Sequence, residues 1–183
     1  MKAIVNRKYG TTSELKFEDV DKPTPKDGEV LVQVHATSVN SWDWDVLKGS
    51  FFNRLIYGPL KPKINVLGCD VAGAVSEVGN AVNRFKPGDE VFGDISSCGW
   101  GGFAEFVAAD ENALAIKPAS MTFEQAASMP QAALLAVQGL ITKGNIKAGQ
   151  KVLVNGAGDG AGSFALQIAK AYETEVTGVD GTN

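Results

Sequence analysis

The segment that most limits how this chain can fold is an eleven-residue run, Val152-Leu153-Val154-Asn155-Gly156-Ala157-Gly158-Asp159-Gly160-Ala161-Gly162. A short apolar strand that enters a glycine-rich turn and leaves it as a helix has few architectural solutions. One glycine serves the sharp turn. Another lets a diphosphate approach main-chain N–H groups, and a third lets the helix pack closely on the strand. We read Lys151–Asn155 as a strand, Gly156–Gly162 as the turn, Ser163–Tyr172 as a helix and Glu175–Val179 as a second strand. That is one parallel βαβ unit, whose connection should be right-handed. The helix start offers free amides and the positive end of the helix dipole to an anion. Gly156, Ala157, Gly158, Gly160, Ala161 and Gly162 are therefore the candidate cofactor-binding cradle. Asp180 lies 24 residues beyond Gly156, at the end of the second strand, where an acid accepts from ribose hydroxyls. Asp159 is at odds with this scheme. A carboxylate facing a diphosphate repels it, so its side chain is expected to point to solvent. Loop amides already bonded within the protein would count against the coenzyme reading.

The first two-thirds of the chain has a different texture. Lys2–Arg7, Leu15–Val20, Glu29–Val39, Val71–Val78, Gly88–Phe92 and Phe103–Val107 read as short strands between glycine and proline breakers. In Glu29–Val39, the residues Val30, Val32, Val34 and Ala36 alternate with Gln33, His35 and Thr37, which predicts one buried and one polar face. Such a pattern, with 21 glycines or about 11% of the chain, suggests a small barrel-like domain. Near residue 120 the pattern turns helical. Thr122-Phe123-Glu124-Gln125 is a capping box, the helix it opens must break before Pro130, and a second helical run spans Gln131–Thr142. The predicted domains are therefore 1–122 and 123–183, the second holding linking helices and the βαβ unit.

Composition narrows the function classes. Seventeen basic against 21 acidic residues give a net charge of −4, so neither nucleic acid nor an anionic membrane is an expected partner. The single histidine, His35, excludes a multi-histidine metal site and reads as a surface or satisfied side chain. Two cysteines, Cys69 and Cys98, exclude a disulfide framework and a four-cysteine zinc lobe. No run approaches the ~20 apolar residues of a membrane span, and the start of the chain lacks a signal-peptide core, so a cytoplasmic location is the default expectation.

Several stretches together carry a resemblance: Val34-His35-Ala36-Thr37-Ser38-Val39-Asn40-Ser41-Trp42-Asp43, Leu67-Gly68-Cys69-Asp70-Val71-Ala72-Gly73, Gly88-Asp89-Glu90-Val91-Phe92-Gly93 and Gly102-Phe103-Ala104-Glu105-Phe106. With the helical region Ala126–Leu140 and the glycine turn, they resemble, in order, the N-terminal half of the medium-chain dehydrogenases/reductases, in the zinc-free quinone oxidoreductase branch. The resemblance implies a β-rich GroES-like barrel domain followed by the start of an α/β Rossmann domain, truncated after one βαβ unit, with the active site in the cleft between them. It implies hydride transfer between a nicotinamide coenzyme and a small-molecule quinone or conjugated carbonyl. NADP(H) is common in that branch, whereas Asp180 read alone favours NAD(H), and both stay open. The alternatives are an alcohol dehydrogenase or enoyl reductase of the same superfamily, or a non-catalytic GroES-like interaction module with a vestigial cofactor motif.

The resemblance also addresses metal and catalysis. Zinc-dependent relatives place a cysteine where this chain has Asn40, a histidine where it has Cys69, and a third ligand near Gln131, which leaves one good ligand of three. No zinc is expected, and Cys69 is read as a small buried hydrophobe. Asn40 then becomes the candidate catalytic donor to the oxygen that gains charge, and Asp43 the second candidate, with orienting or capping the local helix as its other role. Trp42 and Trp44 are read either as lining an aromatic substrate pocket or as core. The resembled family is roughly twice as long, so this chain is expected to bind dinucleotide poorly and turn over little. Its open βαβ sheet is expected to be mobile, or ordered through homo-oligomer formation or strand exchange.

Overall fold

Alternation of apolar side chains over nine residues forms β3 (Glu29–Thr37), the strand on which the first part of the chain is built. The computed structural model of the chain describes residues 1–181; Thr182 and Asn183, the end of the expected second domain, lie outside the described residues. β3 pairs antiparallel with β4 (Asp70–Val78) on one side and with β6 (Phe106–Asp110) on the other. β5 (Glu90–Asp94) and the short β7 (Ala115–Ile116) complete a five-stranded sheet in the order β6-β3-β4-β5-β7. β1 (Lys2–Asn6) and β2 (Leu15–Asp19) form a separate antiparallel pair, attached through single bridges from Ala3 to Ala104 and from Val5 to Val66. The two sheets of this first part are antiparallel and not closed.

Val30, Val32, Val71, Val75, Val91, Ile95 and Val107 form the main core, with Val34 packed against it. Ala36 departs from the predicted face and packs with Ala72, Ala126 and Ala127. The reason is a register shift between Val34 and Ala36, which leaves His35 as an extra residue in β3 and re-aims the strand end. His35 stacks its ring on Phe123 at 4.4 Å. β3 and β4 approach closely at Gly73, where a Cβ would collide with the Gln33 carbonyl, so only glycine permits this register. Two predicted strands begin later than expected. Asp89 closes a turn onto the Lys86 amide before β5, and Ala104 bridges to β1 before the chain joins β3 as β6.

Two helices are inserted between β3 and β4. α1 (Ser41–Lys48) buries Asp43, Val46 and Leu47. α2 (Phe51–Tyr57) leaves Phe51, Phe52, Leu55 and Ile56 exposed. α3 (Phe123–Ala127) starts at the predicted capping box, in which Thr122 Oγ1 accepts from the Gln125 amide and Gln125 Oε1 accepts from the Thr122 amide.

The chain divides into compact units Met1–Ser128 and Met129–Asn183 rather than after residue 122, because Ala126 and Ala127 of α3 are buried in the first unit. In the second unit Pro130 opens α4 (Pro130–Val137), which runs on as a wider helical turn over Gln138–Lys143. β8 (Lys151–Asn155) pairs parallel with β9 (Glu175–Val179) through α5 (Gly160–Ala171). α5 begins three residues before the predicted start, and Asp159 is its cap. Among the described residues no helix is long and apolar enough to cross a membrane.

All three tryptophans, Trp42, Trp44 and Trp100, lie in the first unit, so their fluorescence reports its unfolding alone. Ile95 is wholly buried in the main core. Ile95→Ala is expected to lower the unfolding free energy read by tryptophan fluorescence in urea by about 3 kcal/mol.

Candidate functional site

In the first unit the site grows from the junction of β3, α1 and β4. Asn40, three residues beyond β3, is in an extended conformation and is the cap of α1. Asp43, three residues on, accepts from the Asn40 amide with Oδ2 at 2.7 Å. Its Oδ1 accepts from the Gly68 amide at 2.8 Å, so one buried carboxylate ties the helix start to the turn before β4. Gly68 has φ +93, and a Cβ there would meet the Phe103 backbone, which explains the glycine. The turn delivers Cys69 and Asp70, both wholly buried, beside Asn40.

Asn40 donates through Nδ2 toward Ser38 Oγ at 3.1 Å, Asp70 Oδ2 at 3.2 Å and Cys69 Sγ at 3.4 Å. A carboxylate accepts and does not donate, so the amide must turn its nitrogen to Asp70. Two amide hydrogens thus face three acceptors, and the candidate oxyanion donor is directed inward. Ser38 Oγ also donates to Asp70 Oδ2 at 3.2 Å, and Thr37 Oγ1 to the Asp70 carbonyl at 2.7 Å. The capping and orienting role of Asp43 is what the geometry presents. Trp42 packs edge-on against Trp100 at 5.2 Å, whereas Trp44 joins Ile4, Leu15, Val39, Leu47 and Phe103 around an apolar cavity of about 370 Å³ that Asp43 also borders.

Burial pushes the Asp43 carboxyl above its ordinary value, and the amides of Asn40 and Gly68 pull it partly back. Burial also pushes the Cys69 thiol up strongly, helped by the negative charges of Asp43, Asp70 and Asp94. The ligand-capable atoms of Cys69, Asp70 and Asp94 lie within 4.8 Å of one another. Sequence reasoning counted Cys69 alone here. It missed Asp70 and Asp94 because strand pairing, not spacing, brings them together: Asp70 and Asp94 are partners across β4 and β5.

The second unit carries the glycine turn. Gly156 has φ +78 and is the sharp-turn glycine. Gly162 is the close-packing one, since a Cβ there would strike the Gly156 carbonyl. Asp180, expected as an acceptor for ribose hydroxyls, has its carboxylate on the Gly158 amide and also on that of Gly181. Asp159 is solvent-exposed, as expected, but its carboxylate also turns onto the helix start. Its Oδ1 accepts from the Gly162 amide at 2.6 Å, because an Asp before a helix gains more from free first-turn amides than from water. The amides of Gly156 and Ala157 bond to the Val179 carbonyl, and that of Asp159 to the Gly156 carbonyl. Of the cradle, Gly160 and Ala161 keep amides without a partner among the described residues. The loop has the predicted shape, but five of its seven amides are bonded within the protein, the outcome named above as counting against the coenzyme reading.

The first unit is thus an open antiparallel sheet with two inserted helices, and the second a βαβ start with a glycine turn. The profile of the alcohol dehydrogenase GroES-like domain matches residues 26–119. The chain is 37% identical over 183 residues to the quinone oxidoreductase of Homo sapiens, covering 100% of this chain and 53% of that protein. It is 38% identical over 189 residues to a chloroplastic quinone-oxidoreductase homolog of Spinacia oleracea, covering 99% and 56%. The solved quinone oxidoreductase of Coxiella burnetii superposes with a TM-score of 0.88 at 33% identity, covering 97% of this chain and 56% of that one. The chain belongs to the alcohol dehydrogenase GroES-like family, in the quinone-oxidoreductase-like branch of the medium-chain dehydrogenase/reductase superfamily. It spans about half the length of the curated relatives it matches.

The raised Asp43 carboxyl fixes the sign of one pH effect. The folded protein holds the proton more tightly than the unfolded chain, so just above the ordinary value of 3.8 the native state binds more protons. The unfolding free energy therefore falls as pH rises through that window. Asp43→Ala is expected to lack this component of the fall and to lose about 3 kcal/mol at neutral pH, with two amides stranded. Urea unfolding across pH checks both.

Proposed function

We propose that the chain carries the substrate-side domain and the opening coenzyme-binding unit of a nicotinamide-dependent, zinc-independent reductase that acts on a quinone or conjugated carbonyl. The observation that carries this reading is the turn Gly156–Gly162, with its positive-φ glycine, its close-packed Gly162, and Asp180 beside it. The amides of Gly160 and Ala161, at the start of the twelve-residue α5, fit a diphosphate, and Asp180 fits a ribose diol. The nicotinamide coenzyme, when bound, supplies or accepts the hydride. The carboxylate of Asp180 disfavours a 2′-phosphate, which supports NAD(H) over NADP(H).

Asn40 is the residue we assign to the substrate oxygen. Its weakest partner is the Cys69 sulfur, a poor acceptor at 3.4 Å. An oxygen that gains negative charge accepts far better, so an Asn40 amide hydrogen exchanges sulfur for the substrate as charge develops. Zinc-free action is supported by the donors themselves. Asn40 aims its Nδ2 at Cys69 Sγ and Asp70 Oδ2, so it presents hydrogens where a metal needs a ligand atom. Asp159 on the loop favours a second reading, a non-catalytic GroES-like module whose cofactor motif is vestigial.

Asn40→Ser keeps a helix cap and removes the amide. Under the leading reading it is expected to lower kcat about 100-fold with an unchanged Tm, measured with a quinone and NADH. No change in turnover supports the interaction module instead. Metal analysis is expected to find zinc substoichiometric, and a chelator to leave activity intact; zinc bound one per chain would overturn the zinc-free assignment.

A further inference from the structure

We propose that Asp159 is an internal counter-anion that occupies the diphosphate position and sets how tightly this chain takes a nicotinamide coenzyme; the inference rests on the coenzyme reading above. Asp159 lies in an extended conformation, φ −79 and ψ 176, immediately before α5. Its Oδ1 takes the Gly162 amide at 2.6 Å, on the helix end where amides and dipole together attract an anion. The other oxygen lies over the turn: a Cβ on Gly156 would be 3.3 Å from Asp159 Oδ2. The carboxylate therefore lies between the Gly162 amide and the Gly156 turn, while the residue as a whole stays solvent-exposed. On the far side, Asp180 takes the Gly158 amide.

A diphosphate entering here meets two obstacles from one residue. The Gly162 amide is already engaged, and the bound oxyanions lie beside a fixed like charge. Like charges placed together in a recognition site oppose binding and discriminate among ligands. Coenzyme binding consequently requires Asp159 to leave Gly162 and rotate outward. The position does not demand an aspartate, because φ −79 suits any residue and glycine or asparagine serve nearly as well before a helix.

The test uses the full 183-residue chain and two variants, Asp159→Asn, which keeps an acceptor and removes the charge, and Asp159→Gly, which removes both. NADH and NADPH are titrated by coenzyme fluorescence, and inorganic pyrophosphate by the amide resonance of Gly162. Both variants are expected to bind NADH and pyrophosphate about tenfold more tightly than the unsubstituted chain, with a Tm within a few degrees of it. Equal affinity in all three chains, or weaker binding by the variants, overturns the role of Asp159 and leaves the coenzyme reading standing. Absence of any shift of the Gly160, Ala161 and Gly162 amide resonances with millimolar pyrophosphate in all three chains removes the coenzyme reading, and this inference with it.

Discussion

A single buried carboxylate organises the first unit. Asp43 accepts from the amide that begins α1 and from the amide of Gly68, 25 residues later, so it clamps an insertion between β3 and β4 at both of its ends. Without that clamp Cys69 and Asp70 would have no fixed relation to Asn40. The clamp is mostly dehydrated, which is why its carboxyl titrates high, and the two amides it accepts from offset part of that cost. Asn40 inherits its orientation from this arrangement, and its amide is then fixed by Asp70. Positioning at this site is thus delegated: Asp43 sets the backbone, Asp70 sets the side chain, and Asn40 is left as the donor that can change partners.

What the chain discloses before folding is mostly local. The turn glycine at Gly156, the tight helix-to-turn packing at Gly162, the capping box at Thr122 and the break before Pro130 each depend on neighbours within a few residues. Asp180 was legible too, because a βαβ unit fixes where its second strand ends. That Asn40 and Cys69 share a site followed from the resemblance, but that Asp70 and Asp94 join them did not, since that depends on the pairing of β4 with β5. The face of β3 was half legible: Val30 and Val32 follow the alternation, while the bulge at His35 sends Ala36 to another cluster. Bulges are invisible to a period-two count.

The contact of Asp159 with the helix start was missed for an instructive reason. The charge argument weighed the carboxylate against an absent diphosphate and overlooked the competing attraction of the helix itself. First-turn amides need acceptors whether or not a ligand arrives, and an aspartate at the cap is the nearest one. The same electrostatics that make a helix start a coenzyme site make it a site for the chain's own acid. Which of the two prevails is decided by one residue in the turn, not by the fold.

Cys69 has a consequence outside the chemistry of hydride transfer. Its sulfur is fully enclosed, carries an amide hydrogen from Asn40 and sits among carboxylates, whereas Cys98 is only partly buried. An alkylating reagent therefore meets the two thiols on different timescales. Cys98 reacts from the native surface, and Cys69 only when the junction of α1 and β4 opens and the thiol sheds its proton. The slow thiol is a built-in clock for the breathing of the Asn40 pocket, readable by mass alone and without any coenzyme.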